Sequence, residues 1–223
     1  YENVPGLNAG GWHDAGDYDL RVESQAGTVH KLALIYENFE VDHDQTMVDQ
    51  GQKLVEMHQP DGKADMLQQI EHGLLTIIGG YDNLGRLYRG IICNDLRQYV
   101  LRGDASTMTD NQDYQEGENE MDDRWVFTEE NPGRALYVAS TLAAAGRVIE
   151  EYDQELAQRS VRVARALFDE YAKPEGSLER TSAVDAAAEL YLTTGKARYI
   201  NRIMASEQLV TENIDGTAWM VSR

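Results

Sequence analysis

The chain has 223 residues, 42% of them hydrophobic and 26% charged, which suits one large domain or two small ones with a buried core. Against 39 acidic side chains stand 20 basic ones, a net charge of −19 that repels phosphate backbones and anionic membranes and excludes nucleic acid as a natural partner. No run approaches the roughly 20 apolar residues of a membrane span, and the single Cys93 excludes an internal disulfide framework or a multi-cysteine metal site.

From Ser24 onward, Ala26, Val29, Ala33, Tyr36 and Phe39 recur every three or four positions. That spacing predicts one face of an amphipathic helix, with a turn over Glu40 to Asp44. After Pro60-Asp61-Gly62 the pattern returns with Leu67, Ile70, Leu74, Ile77, Ile78 and Tyr81. The Gly79-Gly80 pair can supply the left-handed residue that closes this second helix. His30 and His72 read as helix-face residues, and the five histidines share no ligand spacing, which argues against a His-based metal site.

Between Leu84 and Thr128 the periodicity fades. Only short β-branched runs such as Arg89 to Cys93 can be strand, and Cys93 itself reads as a buried free thiol. The polar stretch from Gly103 to Arg124 reads as a functional loop or an incompletely ordered one. Its Asp110, Asp113, Glu116, Glu118, Glu120, Asp122 and Asp123 could hold a structural Ca²⁺ or stand as a solvated acidic loop.

Asn131-Pro132 is a cap followed by a first-turn proline, and Ala135, Leu136, Ala139, Leu142, Ala143, Gly146 and Ile149 mark the face of the helix that follows. Leu156, Val163, Ala164, Leu167, Phe168 and Tyr171 resume the period after a short polar break, so these two helices turn back on each other. In the next pair Ser182 and Asp185 resemble a capping box, Gly195 is the stop, and Tyr199, Ile200 and Ile203 lie beyond it. The fold class is therefore all-α, built from antiparallel helix hairpins. Pattern alone does not choose between an open superhelix and a closed ring.

The chemistry points to Gly10-Gly11-Trp12-His13-Asp14-Ala15-Gly16-Asp17-Tyr18. Two carboxylates three apart around an Ala-Gly pair can face one cavity, because small residues let the backbone turn tightly. Asp14 and Asp17 could hold a water between them, one accepting its proton while the other orients it. The bland reading is a capped turn. Trp12 and Tyr18 can stack on a sugar ring or pack the turn against the first helix, and Trp125 is either a sugar contact or a loop anchor.

This segment resembles the signature of glycoside hydrolase family nine, the cellulase-type inverting β-glycosidases. Pro60 to Gly73, Gly85 to Gly90, Gly103 to Asn111 and Asp122 to Thr128 are similar to that family as well. The resemblance implies an (α/α)6 barrel of six helical hairpins with the substrate groove across one end. It implies Asp17 as catalytic base and Asp14 as the carboxylate that helps hold the nucleophilic water; the candidate substrate contacts are Trp12, His13, Tyr18, Arg124 and Trp125.

The family's general-acid Glu lies near the end of a longer catalytic domain, and nothing after Thr211 matches it. Residues 1–223 are thus expected to be a single domain forming the N-terminal to middle part of that catalytic domain, with its remainder as a partner. The expected substrate is a β-1,4-linked glucan-type polysaccharide, with no cofactor required for the chemistry. Localisation is expected to be extracellular, periplasmic or at the cell surface, although Tyr1-Glu2-Asn3 does not read as a signal peptide. The alternative is a non-catalytic carbohydrate-binding or scaffold protein on a helical array.

Overall fold

A computed structural model of the protein describes residues 9–14, 19–92, 125–172 and 181–222. After the two-residue strand β1 (Leu20–Arg21), helix α1 (Val22–Phe39) buries Ala26, Val29 and Ala33 of the predicted face together with Val22, while Phe39 at its last turn is exposed. It ends where Glu40 turns left-handed (φ 48°) and its N–H reaches the Tyr36 carbonyl. A hairpin of β2 (Thr46–Asp49) and β3 (Leu54–Met57) leads to α2 (Asp65–Leu84).

The Gly79-Gly80 pair does not close α2. Both glycines lie inside the helix, and it is Gly85, at φ 67°, that caps it through the Tyr81 carbonyl. Gly80 answers a packing demand instead, because a Cβ there would sit 2.1 Å from Cε1 of Tyr88. The Tyr88 ring fills that space, and burial pushes its hydroxyl up to about 12.

Strand β4 (Tyr88–Ile92) falls where the β-branched run predicted it and pairs antiparallel with both β1 and β5 (Trp125–Thr128). The resulting order is β1-β4-β5. Helix α3 (Pro132–Val148) begins as predicted, with the Asn131 side chain accepting from the Arg134 N–H at 3.1 Å. Asp153 caps α4 (Gln154–Tyr171) in the same manner through the Leu156 N–H. Helices α5 (Thr181–Thr194) and α6 (Ala197–Met204) are separated by left-handed Gly195 and Lys196, and α7 (Glu207–Glu212) and α8 (Ile214–Val221) follow.

Ser182 and Asp185 are not a capping box. Both lie within α5, and Asp185 is buried, accepting a 2.6 Å hydrogen bond from the Ser140 hydroxyl of α3. Sequence spacing of a polar pair cannot distinguish a cap from a cross-helix contact.

Helices α1, α3 and α5 form one row and run in the same direction. Near their N-termini Glu23 approaches Arg134, and near their C-termini Arg147 bonds to Glu37 at 2.7 Å and to Glu189 at 2.9 Å. Burial works against the Arg147 charge, but the Glu37 and Glu189 carboxylates outweigh it and hold the guanidinium proton more tightly than usual. Helices α2, α4 and α6 pack behind this row on α1, α3 and α5 respectively. Helix α3 sits between α1, α4 and α5 and is buried almost all round, so small residues such as Ala135, Ala139, Ala143 and Gly146 let its neighbours approach from three sides. Three hairpins in two rows are part of an (α/α)6 barrel. No helix among the described residues is long and apolar enough to cross a membrane.

Candidate active site

The segment from Gly10 to Asp14 is laid along α2 by main-chain contacts that only glycine permits. Gly10 and Gly11 take φ of 61° and 86°, and a Cβ on Gly10 would lie 2.1 Å from the His72 carbonyl oxygen. This close approach lets the Gly11 N–H donate to that same carbonyl at 2.9 Å.

At Trp12 the chain meets α1. The Trp12 N–H donates to Gln25 Oε1 at 2.9 Å, and Gln25 Nε2 donates to the Trp12 carbonyl at 2.7 Å, so one side-chain amide serves both backbone groups. The indole Nε1 donates to Gln69 on α2, and the ring meets His72 edge-on with centroids 5.5 Å apart. Gly73 makes the seat, since a Cβ there would stand 2.7 Å from the indole. Trp12 is therefore a packing residue at the contact of α1 and α2. Being half-buried, it also lines a cleft of about 590 Å³ together with His13, Gln50, Lys53, Val55 and Gln69.

His13 and Asp14 are exposed. The Asp14 N–H donates to the Asp19 carbonyl at 2.8 Å, an isolated antiparallel bridge that sets Asp14 beside the entry to β1. Asp19 is buried and accepts from Arg21 through Nε at 3.1 Å and Nη2 at 2.8 Å. The hydrogen bond to Asp19 holds the Arg21 proton more tightly than usual. Partial burial opposes it, and the charges of Asp19, Asp14 and Glu23 reinforce it.

Asp17, Tyr18 and Arg124 lie outside the described residues, as do Cys93 and the acidic stretch proposed for Ca²⁺. Trp125 opens β5 opposite Ile92. Because Leu20 pairs with Ile91, Asp19 is level with Ile92 and Trp125. Three strand spacings of about 4.8 Å then separate the backbones of Asp14 and Trp125, roughly 14 Å in all. The fold thus brings the Gly10 to Asp14 segment and Trp125 to the same end of one small sheet.

Ion pairs brace the other end of this sheet, where β4 begins and β5 finishes. Arg89 holds Glu23 at 2.5 Å, Arg134 bonds to Glu129 and approaches Glu23, and Arg86 holds Glu130 at 2.7 Å. These tie β4, the start of α1 and the start of α3 together. Among the described residues, no three or more His, Cys, Asp or Glu side chains gather as a metal site.

Three supporting residues, Asp19, Gln25 and His72, were not among the predicted site residues. Gln25 had a sequence signal, a polar residue on the apolar face of α1 between Val22 and Val29. Asp19 and His72 had none strong enough to single them out.

The sequence model of glycosyl hydrolase family 9 matches residues 6–222. The chain belongs to glycosyl hydrolase family 9. Endoglucanase D of Acetivibrio thermocellus is 23% identical over 211 residues, an alignment covering 85% of this chain and 30% of that protein. Among solved structures, a metagenome-derived family 9 endoglucanase superposes with a TM-score of 0.61 at 20% identity, covering 89% of this chain and 35% of that one. The endoglucanase of the termite Nasutitermes takasagoensis gives 0.60 at 21% identity, covering 91% and 44%. The family 9 chain described here thus spans well under two thirds of these relatives.

Proposed function

We propose that residues 1–223 form the N-terminal to middle part of a single catalytic domain that hydrolyses β-1,4-linked glucan-type chains with inversion. Asp17 is the general base, Asp14 helps hold the nucleophilic water, and the general-acid Glu stands outside residues 1–223. The observation that carries this reading is the Gly10 to Tyr18 signature, with Asp14 presented to solvent at the end of the helices where α1 and α3 begin. Membership of the family and the endoglucanase names of the relatives support a polysaccharide substrate.

An inverting site needs its base and acid about 6.5 to 9.5 Å apart, so that a water fits between the base and the anomeric carbon. Such chemistry runs on two carboxyl groups and requires no cofactor. Trp12, His13, Tyr18, Arg124 and Trp125 are the proposed sugar contacts, with aromatic faces suited to the C–H faces of glucose rings. A polymeric substrate places the enzyme outside the cytoplasm.

The stereochemistry tests this reading. When the polypeptide that carries this sequence cuts a soluble β-1,4-glucan, the first product seen by proton NMR is the α-anomer. First appearance of the β-anomer would overturn inversion, and with it the assignment of Asp17 as a base acting on water.

A further inference from the structure

Gly11, three residues before Asp14, has both of its backbone hydrogen-bonding groups taken by a single residue of α2. Its N–H donates to the His72 carbonyl at 2.9 Å, and its carbonyl lies 2.8 Å from His72 Nε2. A carbonyl oxygen can only accept, so Nε2 must carry a proton. A neutral His72 then offers Nδ1 as an acceptor alone.

The group facing Nδ1 is the side-chain amide of Gln50, 3.1 Å away, in the turn of the β2–β3 hairpin. With Gln50 Oε1 toward the ring, Nδ1 would have to donate and His72 would be a cation. In that orientation the buried Gln50 Nε2 has no hydrogen-bond partner. Turning the amide over places Nε2–H on Nδ1 and leaves the imidazole neutral, with the Oε1 acceptor now in the buried position that Nε2 held. Amide oxygen and nitrogen are distinguished by such networks, and here the turned amide is the orientation that needs no charged imidazole.

The chain of contacts runs from the hairpin through Gln50, His72 and Gly11 to the segment bearing Asp14. Trp12 extends it, because its ring meets His72 and its Nε1 bonds to Gln69, one turn earlier on α2. We propose that His72 is a positioning residue for the segment that carries Asp14. In its neutral form, protonated at Nε2 and accepting from Gln50 at Nδ1, it sets where the Gly10 to Asp14 segment lies on α2. This rests on the reading of Asp14 and Asp17 as the water-holding pair. A displacement of about 1 Å in such a pair costs on the order of a hundredfold in rate.

Two measurements on the polypeptide that carries this sequence test it. The first is nitrogen-15 NMR of the histidine rings above the range in which a free imidazole protonates, with Gln50→Leu used to identify the affected ring. The expected signature is a neutral ring protonated at Nε2, whose Nδ1 resonance moves when Gln50 is replaced. A ring protonated at Nδ1, or one indifferent to Gln50, would overturn the proposal.

The second is steady-state hydrolysis of a soluble β-1,4-glucan by wild type, His72→Phe and Gln50→Leu, each checked for folding by circular dichroism. His72→Phe is expected to lower kcat about a hundredfold with KM within a few-fold, and Gln50→Leu to lower it by less. An active wild type with an unchanged kcat in a folded His72→Phe sinks the positioning role. If His72→Phe does not fold, an unchanged kcat in Gln50→Leu sinks it instead. A wild type without hydrolysis marks failure of the functional reading, and the positioning role falls with it.

Discussion

Asp17→Ala is expected to lower the release of reducing ends from a β-1,4-glucan by roughly a hundred- to ten-thousand-fold, with helix content and thermal midpoint at their wild-type values. The size of the effect follows from what a general base does in an inverting hydrolase. Water attacks the anomeric carbon as its proton leaves, and without an acceptor at that point the attacking oxygen must carry positive charge in the transition state. Helices α1, α2 and α3 are held by their mutual packing and by the pairs among Glu23, Arg89 and Arg134, none of which involves Asp17. Asp14→Asn keeps the shape of its side chain and the backbone bond to Asp19 but withdraws one charged acceptor from the water. Its rate loss is expected to be smaller than that of Asp17→Ala. A folded Asp17→Ala protein with wild-type turnover would remove Asp17 from the mechanism.

Gly10→Ala acts on the same segment by another route and is expected to harm both stability and turnover. Gly10 sits at φ 61°, a conformation that costs an L-residue roughly 1–2 kcal/mol. The added Cβ would also lie 2.1 Å from the His72 carbonyl oxygen, a backbone atom of α2 that cannot swing aside as a side chain would. Relief requires the segment to lift from the helix, which breaks the Gly11 N–H bond to His72 and shifts Trp12 off Gln25. The combined cost is on the order of 2–4 kcal/mol, read as a lowered midpoint in urea unfolding. Turnover falls with it, because Asp14 is carried on the displaced strand. An alanine variant as stable and as active as wild type would show that the segment is not fixed at Gly10.

Helix hairpins were readable because their signals are local. Asn131-Pro132 starts α3 and Gly195 ends α5 by chemistry contained in a few neighbouring residues. The apolar faces of α1, α2 and α4 follow from period alone. Misreadings arose where one local pattern serves two physical needs. Gly79-Gly80 has the composition of a helix stop, yet Gly80 exists to admit the Tyr88 ring. Ser182 and Asp185 have the spacing of a cap, yet Asp185 answers Ser140 on another helix. The β2–β3 hairpin gave no alternation to detect, because Leu54, Val55, Glu56 and Met57 are all exposed and no buried face imposes a period of two.

The site divides along the same line. Its two carboxylates and two of its aromatics, Trp12 and Tyr18, stand in one contiguous stretch and were legible together. The residues that fix that stretch in space are not contiguous with it. Gln25 reaches it from α1, His72 and Gln69 from α2, and Gln50 from the hairpin turn. Each is an ordinary polar residue in its own neighbourhood, and only the packing of α1 on α2 gives it a role. Trp12 shows the overlap of the two kinds, since it packs at the contact of α1 and α2 and also lines the adjoining cleft.

The placement of the base within residues 1–223 and of the acid outside them is tested most directly by reducing-end release from a panel of soluble β-1,4-glucans. The 223-residue chain alone is compared with a family 9 polypeptide carrying the same residues together with the rest of its catalytic domain. Cleavage by the longer polypeptide, abolished by Asp17→Ala and absent from the 223-residue chain, is the expected result. Cleavage by the 223-residue chain itself would contradict it, and would place the general acid among these residues, where Glu116, Glu118 and Glu120 would be the first to replace.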